Sequence, residues 1–165
     1  MVRYLVLLVA LMALVPFVPQ WADKWVPGQQ EEVAPQVAVA SKTRTLKIPA
    51  DASGHFVTEA ELNGRQVEML VDTGATVVAL PQSVARRIGL NPKKEDFSAS
   101  VTTANGSIPA ARVVLKDLRL GSIRLSEVEA IVLPDASLSK ALLGMSALRR
   151  LERFDISDDT LVLVQ

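Results

Sequence analysis

The sequence predicts an all-β domain with two short helices, preceded by a transmembrane helix. Three observations support this fold class. Runs of strand length with alternating apolar and polar residues, separated by turn signals, dominate the chain from residue 43 onward. Asn63-Gly64 between two such runs is a strong signal for a two-residue hairpin. The first 25 residues contain a long apolar stretch without charge.

Each of these runs is expected to form one strand of the domain, and turns are expected between them. The first hairpin turns at Asn63-Gly64, the second at residues 104–107, and the last at Ser157-Asp158-Asp159. The expected strands are 43–48, 56–62, 65–71, 97–103, 108–115, 123–125, 128–133, 154–156 and 161–164.

Two helices interrupt the strands. Ser83 is expected to cap a helix over 84–88 that Gly89 ends, and a second helix is expected at about 145–151, after Gly144. The two halves of the domain also repeat weakly, because each runs from a turn through a strand to a Gly-containing loop and then a helix. Only the first half carries an Asp at its loop.

The N-terminus, residues 1–25, is expected to anchor the chain in a membrane. Residues 4–22 contain no charge, and as a helix they would span about 28 Å, close to the ~30 Å hydrocarbon core. Trp21 and Trp25 follow where an aromatic belt would lie. A removed signal peptide is the alternative, but an uncleaved single-pass anchor is preferred.

Residues 26–42 are rich in Pro, Gln and small residues and are expected to form a linker to the domain at 43–165. Arg3 and the α-amine precede the apolar run, while Asp23 and Lys24 cancel after it. This weak asymmetry favours an inner-membrane protein whose C-terminal domain is exported to the periplasm.

Composition excludes several kinds of site. Lys and Arg number 18, as do Asp and Glu, and no basic block is interleaved with aromatic residues, so nucleic acid is not an expected partner. Cysteine is absent and His55 is the single histidine, which rules out a thiol nucleophile and histidine-rich zinc sites. No metal or cofactor is expected. Carboxylates are left for acid–base chemistry.

Asp72 is the carboxylate that the sequence singles out. It follows the apolar strand 65–71 and begins Asp72-Thr73-Gly74-Ala75. A strand that ends on Asp, then a hydroxyl, then Gly presents one carboxylate at a sharp turn. The alternative is an Asp that merely caps the turn.

Together with the hairpin around Asn105-Gly106 and with Leu142-Leu143-Gly144-Met145 before a helix, this motif resembles the retropepsin-like aspartic proteases, especially the bacterial membrane-anchored, single-domain type. The resemblance covers about residues 43–165. It implies a small closed or partly open β-barrel. It also implies an aspartic endopeptidase that acts on peptides or proteins.

The resemblance also implies roles for individual residues. Asp72 would be catalytic, with Thr73, Gly74 and Ala75 supporting its loop. Leu143 and Gly144 would form a second, supporting loop. The flap over the substrate would be the hairpin whose tip is Thr103, Ala104, Asn105 and Gly106.

A homodimer is expected on chemical grounds as well, because the reaction needs two carboxylates that share a proton and the chain holds one such motif. The strand 161–164 would pair across the dimer or within its own chain. The rival hypothesis is a catalytically silent, membrane-tethered module of the same fold that binds peptides or dimerises. Other acidic residues in turns are expected to be solvated: Asp135, Asp155, Asp158 and Asp159.

Overall fold

The computed structural model describes residues 43–103 and 106–165. The expected anchor, the whole of the expected linker at 26–42, and Ala104 and Asn105 lie outside this part of the chain. No helix among the described residues is both long and apolar enough to cross a membrane. The strands are β1 Thr45–Pro49, β2 Val57–Leu62, β3 Arg65–Val71, β4 Val78–Pro81, β5 Ala99–Thr103, β6 Gly106–Leu120, β7 Ile123–Leu133, β8 Ala141–Leu143, β9 Arg153–Ser157 and β10 Thr160–Val164. The helices are α1 Gln82–Arg87, a 3₁₀ turn Lys94–Asp96, and α2 Met145–Leu148.

Six strands close into a barrel. They follow the order β2-β3-β8-β4-β7-β6, and β6 pairs back with β2 through Leu62 and Leu118. β5 extends from β6 as a hairpin arm beyond the barrel. The all-β prediction with two short helices is therefore confirmed, and the barrel is of the closed kind.

The barrel has an apolar interior. Leu62, Met69, Leu80, Leu115 and Leu143 are fully buried in one continuous cluster, and no polar or charged side chain of the described residues is buried. Burial of apolar surface is the main favourable term in folding. Chemistry in this part of the chain must therefore come from side chains at the surface.

The weak internal repeat corresponds to a two-fold pattern in the sheet. β3 runs parallel to β8 and β7 runs parallel to β4, while β4 and β8 are antiparallel neighbours. Ala79 faces Leu142 at the centre of this arrangement. Each half of the repeat therefore contributes strands that pair with strands of the other half.

Several expected elements differ in extent. The strand 108–115 continues to Leu120, because Leu115, Leu118 and Leu120 keep facing the core. The segments 123–125 and 128–133 form one strand, β7, in which Glu127 has a φ of 52°. The second helix ends at Leu148 instead of Leu151. β4 and β8 are further strands, too short to show a periodic pattern.

The expected cap of α1 is wrong. Ser83 lies inside the helix, and no side chain caps its first residue. Instead the Ser83 backbone N–H and hydroxyl both donate to Asp135 Oδ1, at 2.9 and 2.8 Å. Asp135, expected to be solvated, is exposed but tied to the start of the helix.

The end of the chain forms a separate sheet in the order β1-β10-β9. Its hairpin turns at Asp158 and Asp159, both with positive φ as expected for a two-residue turn. β10 lies in the middle and pairs with β1 and β9 of its own chain. Of the two alternatives for residues 161–164, the structure therefore has pairing within the chain.

Candidate active site

Asp72 lies where β3 leaves the barrel, beside the end of β8. Val71 pairs with Leu143 in the parallel register of β3 and β8, and the Asp72 backbone N–H donates to the Leu143 carbonyl at 3.1 Å. The chain then returns as β4 on the other side of β8. The loop that carries Asp72 therefore crosses over the end of β8, which fixes both of its ends.

Within this loop the carboxylate is held by the backbone. The Gly74 N–H donates to Asp72 Oδ1 at 2.8 Å, and the Ala75 N–H donates to the Asp72 carbonyl at 3.2 Å. Asp72 is half-buried, while Thr73 and Gly74 are exposed. One carboxylate oxygen thus orients the side chain. The other accepts no hydrogen bond from the residues that the structure describes, so it is open to a water or a substrate.

Gly144 supports this loop from β8. Its own backbone is extended, with φ −93° and ψ −175°, so it is not needed for a left-handed conformation. A Cβ at this position would lie 2.2 Å from the Val77 carbonyl oxygen and 2.8 Å from that of Ala75. The next residue, Met145, donates its N–H to the Ala75 carbonyl at 2.8 Å. A glycine is required here because the two loops touch through their backbones.

Ser146 is a supporting residue that sequence reasoning missed. Its hydroxyl accepts the Val78 N–H at 2.9 Å and donates to the Glu129 carbonyl at 2.7 Å. It therefore joins α2 to the start of β4 and to β7, just beyond the Asp72 loop. No sequence signal identifies it, because a Ser in the first turn of a helix ordinarily suggests a local cap.

The expected flap is the β5–β6 hairpin. Thr103 pairs with Gly106, whose φ is 107°, and Ala104 and Asn105 between them lie outside the described residues. The hairpin carries Val101 and Ile108 into a small apolar cluster. The floor of that cluster is built from β4, β7 and β8, and includes Ala79, Ile131, Leu133 and Leu142. This cluster extends from beside the Asp72 loop to the base of the hairpin.

The other acidic residues expected to be solvated differ among themselves. Asp158 and Asp159 are exposed in their turn. The half-buried Asp155 lies 3.0 Å from Arg153 Nη1, in an ion pair without hydrogen-bond geometry. At Asp135 the hydrogen bonds from the Ser83 backbone and hydroxyl, with a smaller contribution from Arg86, hold the pKa below its ordinary value.

The described residues contain no group of three or more His, Asp or Glu side chains that could hold a metal ion. His55 is exposed at the turn before β2, where its backbone N–H donates to Asp51 Oδ1 at 3.0 Å. The candidate site therefore consists of the Asp72 carboxylate, the loop that carries it, and the Leu143-Gly144 loop that contacts it.

Comparison with known proteins agrees with this geometry. Residues 58–150 match the family model described as gag-polyprotein putative aspartyl protease. A retropepsin-like aspartic protease from Rickettsia conorii has a similar crystal structure, with a TM-score of 0.64 and 33% sequence identity over 73% of this chain and 98% of that one.

Two curated relatives carry no described activity. An uncharacterized protein in the cobV 5′ region of Sinorhizobium sp is 41% identical over 67% of this chain and 48% of its own length. The uncharacterized protein RP867 of Rickettsia prowazekii is 30% identical over 78% of this chain and 55% of its own length. The chain thus spans about half the length of these relatives. The family match over more than half of the chain places it in the gag-type aspartyl protease family, with the retropepsin fold.

Proposed function

We propose that the protein is an aspartic endopeptidase, active as a homodimer in which each subunit contributes Asp72. The observation that carries the proposal is the hydrogen bond from the Gly74 N–H to Asp72 Oδ1, in a loop fixed on both sides by β8. This arrangement orients one carboxylate and leaves its other oxygen accessible. A pure turn cap would not need a second, glycine-specific loop pressed against it.

The proposed reaction needs the two Asp72 carboxylates to share one proton. The ionised one takes a proton from a water, whose oxygen attacks the carbonyl carbon of the peptide bond. The protonated one gives its proton to the carbonyl oxygen. The tetrahedral intermediate then collapses to a carboxylic acid as the nitrogen takes a proton and leaves as an amine.

The proposed substrate is an extended peptide that binds between the β5–β6 hairpin and the strands β4, β7 and β8, which form the floor of the apolar cluster. The hairpin would close over the peptide and pair with its backbone as an added strand. Ile131 and Leu142, both half-buried, offer an apolar surface on the floor side. Apolar side chains next to the cleaved bond would fit this surface best.

We also propose that residues 4–22 anchor the protein in the inner membrane with the protease domain in the periplasm, where its substrates would be membrane-attached or periplasmic. The full chain should resist an alkaline carbonate wash of membranes and be digested by external protease in spheroplasts. Leu14→Arg should weaken membrane retention, because Leu14 is next to the midpoint of residues 4–22 and a charge at the centre of a span costs about 3 kcal/mol. Protection of the domain in intact spheroplasts would contradict the orientation.

The test of the reaction compares the full chain with Asp72→Asn on a peptide library at mildly acidic and neutral pH. Loss of one acid–base group should lower the cleavage rate about 10³-fold or more, with no change in the folded structure seen by circular dichroism. Asp158→Asn, in an exposed turn, is the matched control and should cleave like the wild type. Equal cleavage by wild type and Asp72→Asn would rule out the proposal.

The alternative is a peptide-binding or dimerisation module that has kept the fold. It predicts peptide binding without cleavage, and equal binding by wild type and Asp72→Asn. Mass spectrometry of the library after incubation separates the two, because only the endopeptidase yields new termini.

A further inference from the structure

Arg112 on β6 is an exposed arginine whose side chain has no hydrogen-bond or ion-pair partner among the described residues. Other arginines of the domain are engaged. Arg86 and Arg153 lie 3.8 and 3.0 Å from a carboxylate oxygen, and Arg150 donates to two backbone carbonyls of β7. A guanidinium has five N–H donors in a planar fork, which suits two-point binding of a carboxylate. The position of Arg112 decides whether its donors face only water.

Arg112 lies at the border of the apolar cluster beneath the β5–β6 hairpin. Alternate residues of a strand share a face, so Ile108, Ala110 and Arg112 lie on the same side of β6. Ile108 and Ala110 belong to the cluster, and so does Ile131, which is directly opposite Arg112 in the register of β6 and β7. Opposite residues have Cα atoms about 5 Å apart. A peptide that packs on Ile131 therefore comes within reach of the guanidinium.

A cavity of about 260 Å³ opens at this border. Arg112 and Ile131 line it together with Val114 and with Val77, which lies between the Asp72 loop and β4. The volume is several times the ~30 Å³ that one water occupies, so the cavity has room for a side chain. It therefore offers a place for a side chain of the peptide that reaches beyond the floor.

Glu129 is the other charged residue that lines this cavity, and its carboxylate also has no partner among the described residues. It is opposite Val114, two positions along β7 from Ile131 and on the side away from Leu133 of the apolar cluster. A side chain that enters from the floor therefore meets Arg112 first. A carboxylate is attracted there at once, whereas a basic side chain must pass the guanidinium to reach Glu129.

Two acidic residues on the other side of Arg112 could compete for it. Glu95 and Asp96 line a second cavity with Arg112, of about 530 Å³, but neither forms an ion pair with it. Asp96 Oδ2 instead accepts the Lys93 backbone N–H at 2.7 Å. Both carboxylates are exposed, and water and salt screen such charges. The guanidinium therefore stays available to a carboxylate from the side of the floor.

We infer that Arg112 is a specificity-determining residue, which favours peptides that carry Asp or Glu two residues from an apolar side chain on the floor. The inference rests on the proposed function and deepens it, since it names the class of substrate. The spacing follows from an extended peptide, in which every second side chain shares a face and two such side chains lie about 7 Å apart. A symmetric dimer offers one Arg112 per subunit, so the acidic residue can lie on either side of the cleaved bond.

The test uses the full wild-type chain and short peptides with a central Leu-Phe pair and neutral residues elsewhere. One position at a time carries Glu, Gln or Lys. Two residues from Leu or from Phe, in the direction away from the bond between them, Glu should raise kcat/KM about tenfold or more over Gln, and Lys should lower it. Glu and Gln have nearly the same shape, so their ratio reports the effect of charge.

Arg112→Gln should bring the Glu-to-Gln ratio of kcat/KM to about one, and Arg112→Glu should favour Lys over Glu. Each ratio compares peptides on one protein preparation, so a loss of folded protein does not change it. Arg87→Gln is the matched control, because Arg87 is also exposed and without a side-chain partner among the described residues, and it lines neither cavity. It should keep the wild-type ratio. An equal loss in Arg87→Gln would assign the preference to net charge and overturn the inference.

Binding gives a second readout that needs no cleavage. The same Glu and Gln peptides, labelled with fluorescein, are titrated with the full chain carrying Asp72→Asn, and fluorescence polarisation gives the Kd. The Kd of the Glu peptide should be about tenfold lower than that of the Gln peptide. The difference should become smaller as the salt concentration rises. With Arg112→Gln added, the two Kd values should be equal.

The outcomes separate this inference from the proposed function. If wild type cleaves the Glu and Gln peptides equally well at each position, or if Arg112→Gln keeps the preference, the inference is wrong and the endopeptidase proposal stands. If no peptide is cleaved but Arg112→Gln removes a binding preference for Glu, recognition by Arg112 stands and the endopeptidase proposal fails. If the peptides are neither bound nor cleaved, the inference is overturned as well.

Discussion

Gly144 and Val77 are in backbone contact, so close that a Cβ on Gly144 would lie 2.2 Å from the Val77 carbonyl oxygen. Val77 belongs to the segment between the Asp72 loop and β4, and Gly144 ends β8, so this contact locks the crossover that carries Asp72. The atoms nearest to this Cβ position all belong to the backbone, so no side chain could rotate to make room for it. Only a shift of backbone would make room.

Gly144→Ala should therefore destabilise the fold by about 3 kcal/mol, at the upper end of what overpacking costs. Urea unfolding followed by circular dichroism measures it. Gly54→Ala is the control, because Gly54 has a φ of 77° but nothing within 4 Å of its Cβ position. That substitution should cost only the 1–2 kcal/mol or so of a left-handed residue. A smaller loss at Gly144 than at Gly54 would show that the contact is not tight.

Much of this architecture could be predicted from the sequence because its signals are local. Asn63 and Gly64 do adopt positive φ in a two-residue turn between β2 and β3, and Asp158 and Asp159 do so between β9 and β10. Turn chemistry of this kind depends on neighbours in the chain only. The position of Asp72 at the end of an apolar strand follows from the same local reasoning.

What could not be predicted depends on residues that are distant in sequence. β4 and β8 contain four and three residues, and they become strands only because they lie between longer ones. The side chain that holds the first turn of α1 is that of Asp135, 52 positions after Ser83. A local pattern predicts a cap at the nearest Ser and contains no sign of a partner so distant in sequence.

The hydroxyl of Ser146 offers a test of a contact that only the structure reveals. Ser146→Ala removes the acceptor of the Val78 N–H and the donor to the Glu129 carbonyl, while Val78 itself is fully buried. An unsatisfied buried N–H costs about 1–3 kcal/mol. Urea unfolding should show this loss. Ser146→Thr, which keeps the hydroxyl, should lose less.

Ser137→Ala is the matched control for that prediction. Ser137 is exposed, and its hydroxyl makes no hydrogen bond among the described residues. Its substitution should change the free energy of unfolding by less than about 0.5 kcal/mol. If Ser146→Ala changed the free energy of unfolding as little as Ser137→Ala, the hydrogen bonds of Ser146 between α2, β4 and β7 would not contribute to stability.

The cap that Asp135 provides should depend on pH. The Ser83 backbone N–H, its hydroxyl and then Arg86 hold the pKa of Asp135 below its ordinary value. A carboxylate whose pKa is lower in the folded state stabilises the fold fully above its unfolded pKa, about 3.9. The contribution disappears as the pH falls through the lower, folded value. The melting temperature of the wild type should therefore be higher than that of Asp135→Ala at neutral pH. The difference between the two melting temperatures should become smaller below about pH 4.

Thermal melts of both proteins between neutral pH and about pH 2 would measure this gap. Glu59→Ala is the control, because the Glu59 side chain is exposed and makes no hydrogen bond or ion pair among the described residues. A gap at Asp135 that stayed constant down to the lowest pH would show that the negative charge is not what holds the helix start.

Mixing of subunits tests whether one active site needs two Asp72 residues. If it does, a heterodimer of wild type and Asp72→Asn is inactive, because the remaining carboxylate has no partner with which to share a proton. With free exchange of subunits at fixed total concentration, the cleavage rate should fall with the square of the wild-type fraction. At half wild type about a quarter of the rate should remain. A rate proportional to the wild-type fraction would mean that each Asp72 acts alone, and Asp158→Asn subunits, mixed in the same way, should leave the rate unchanged.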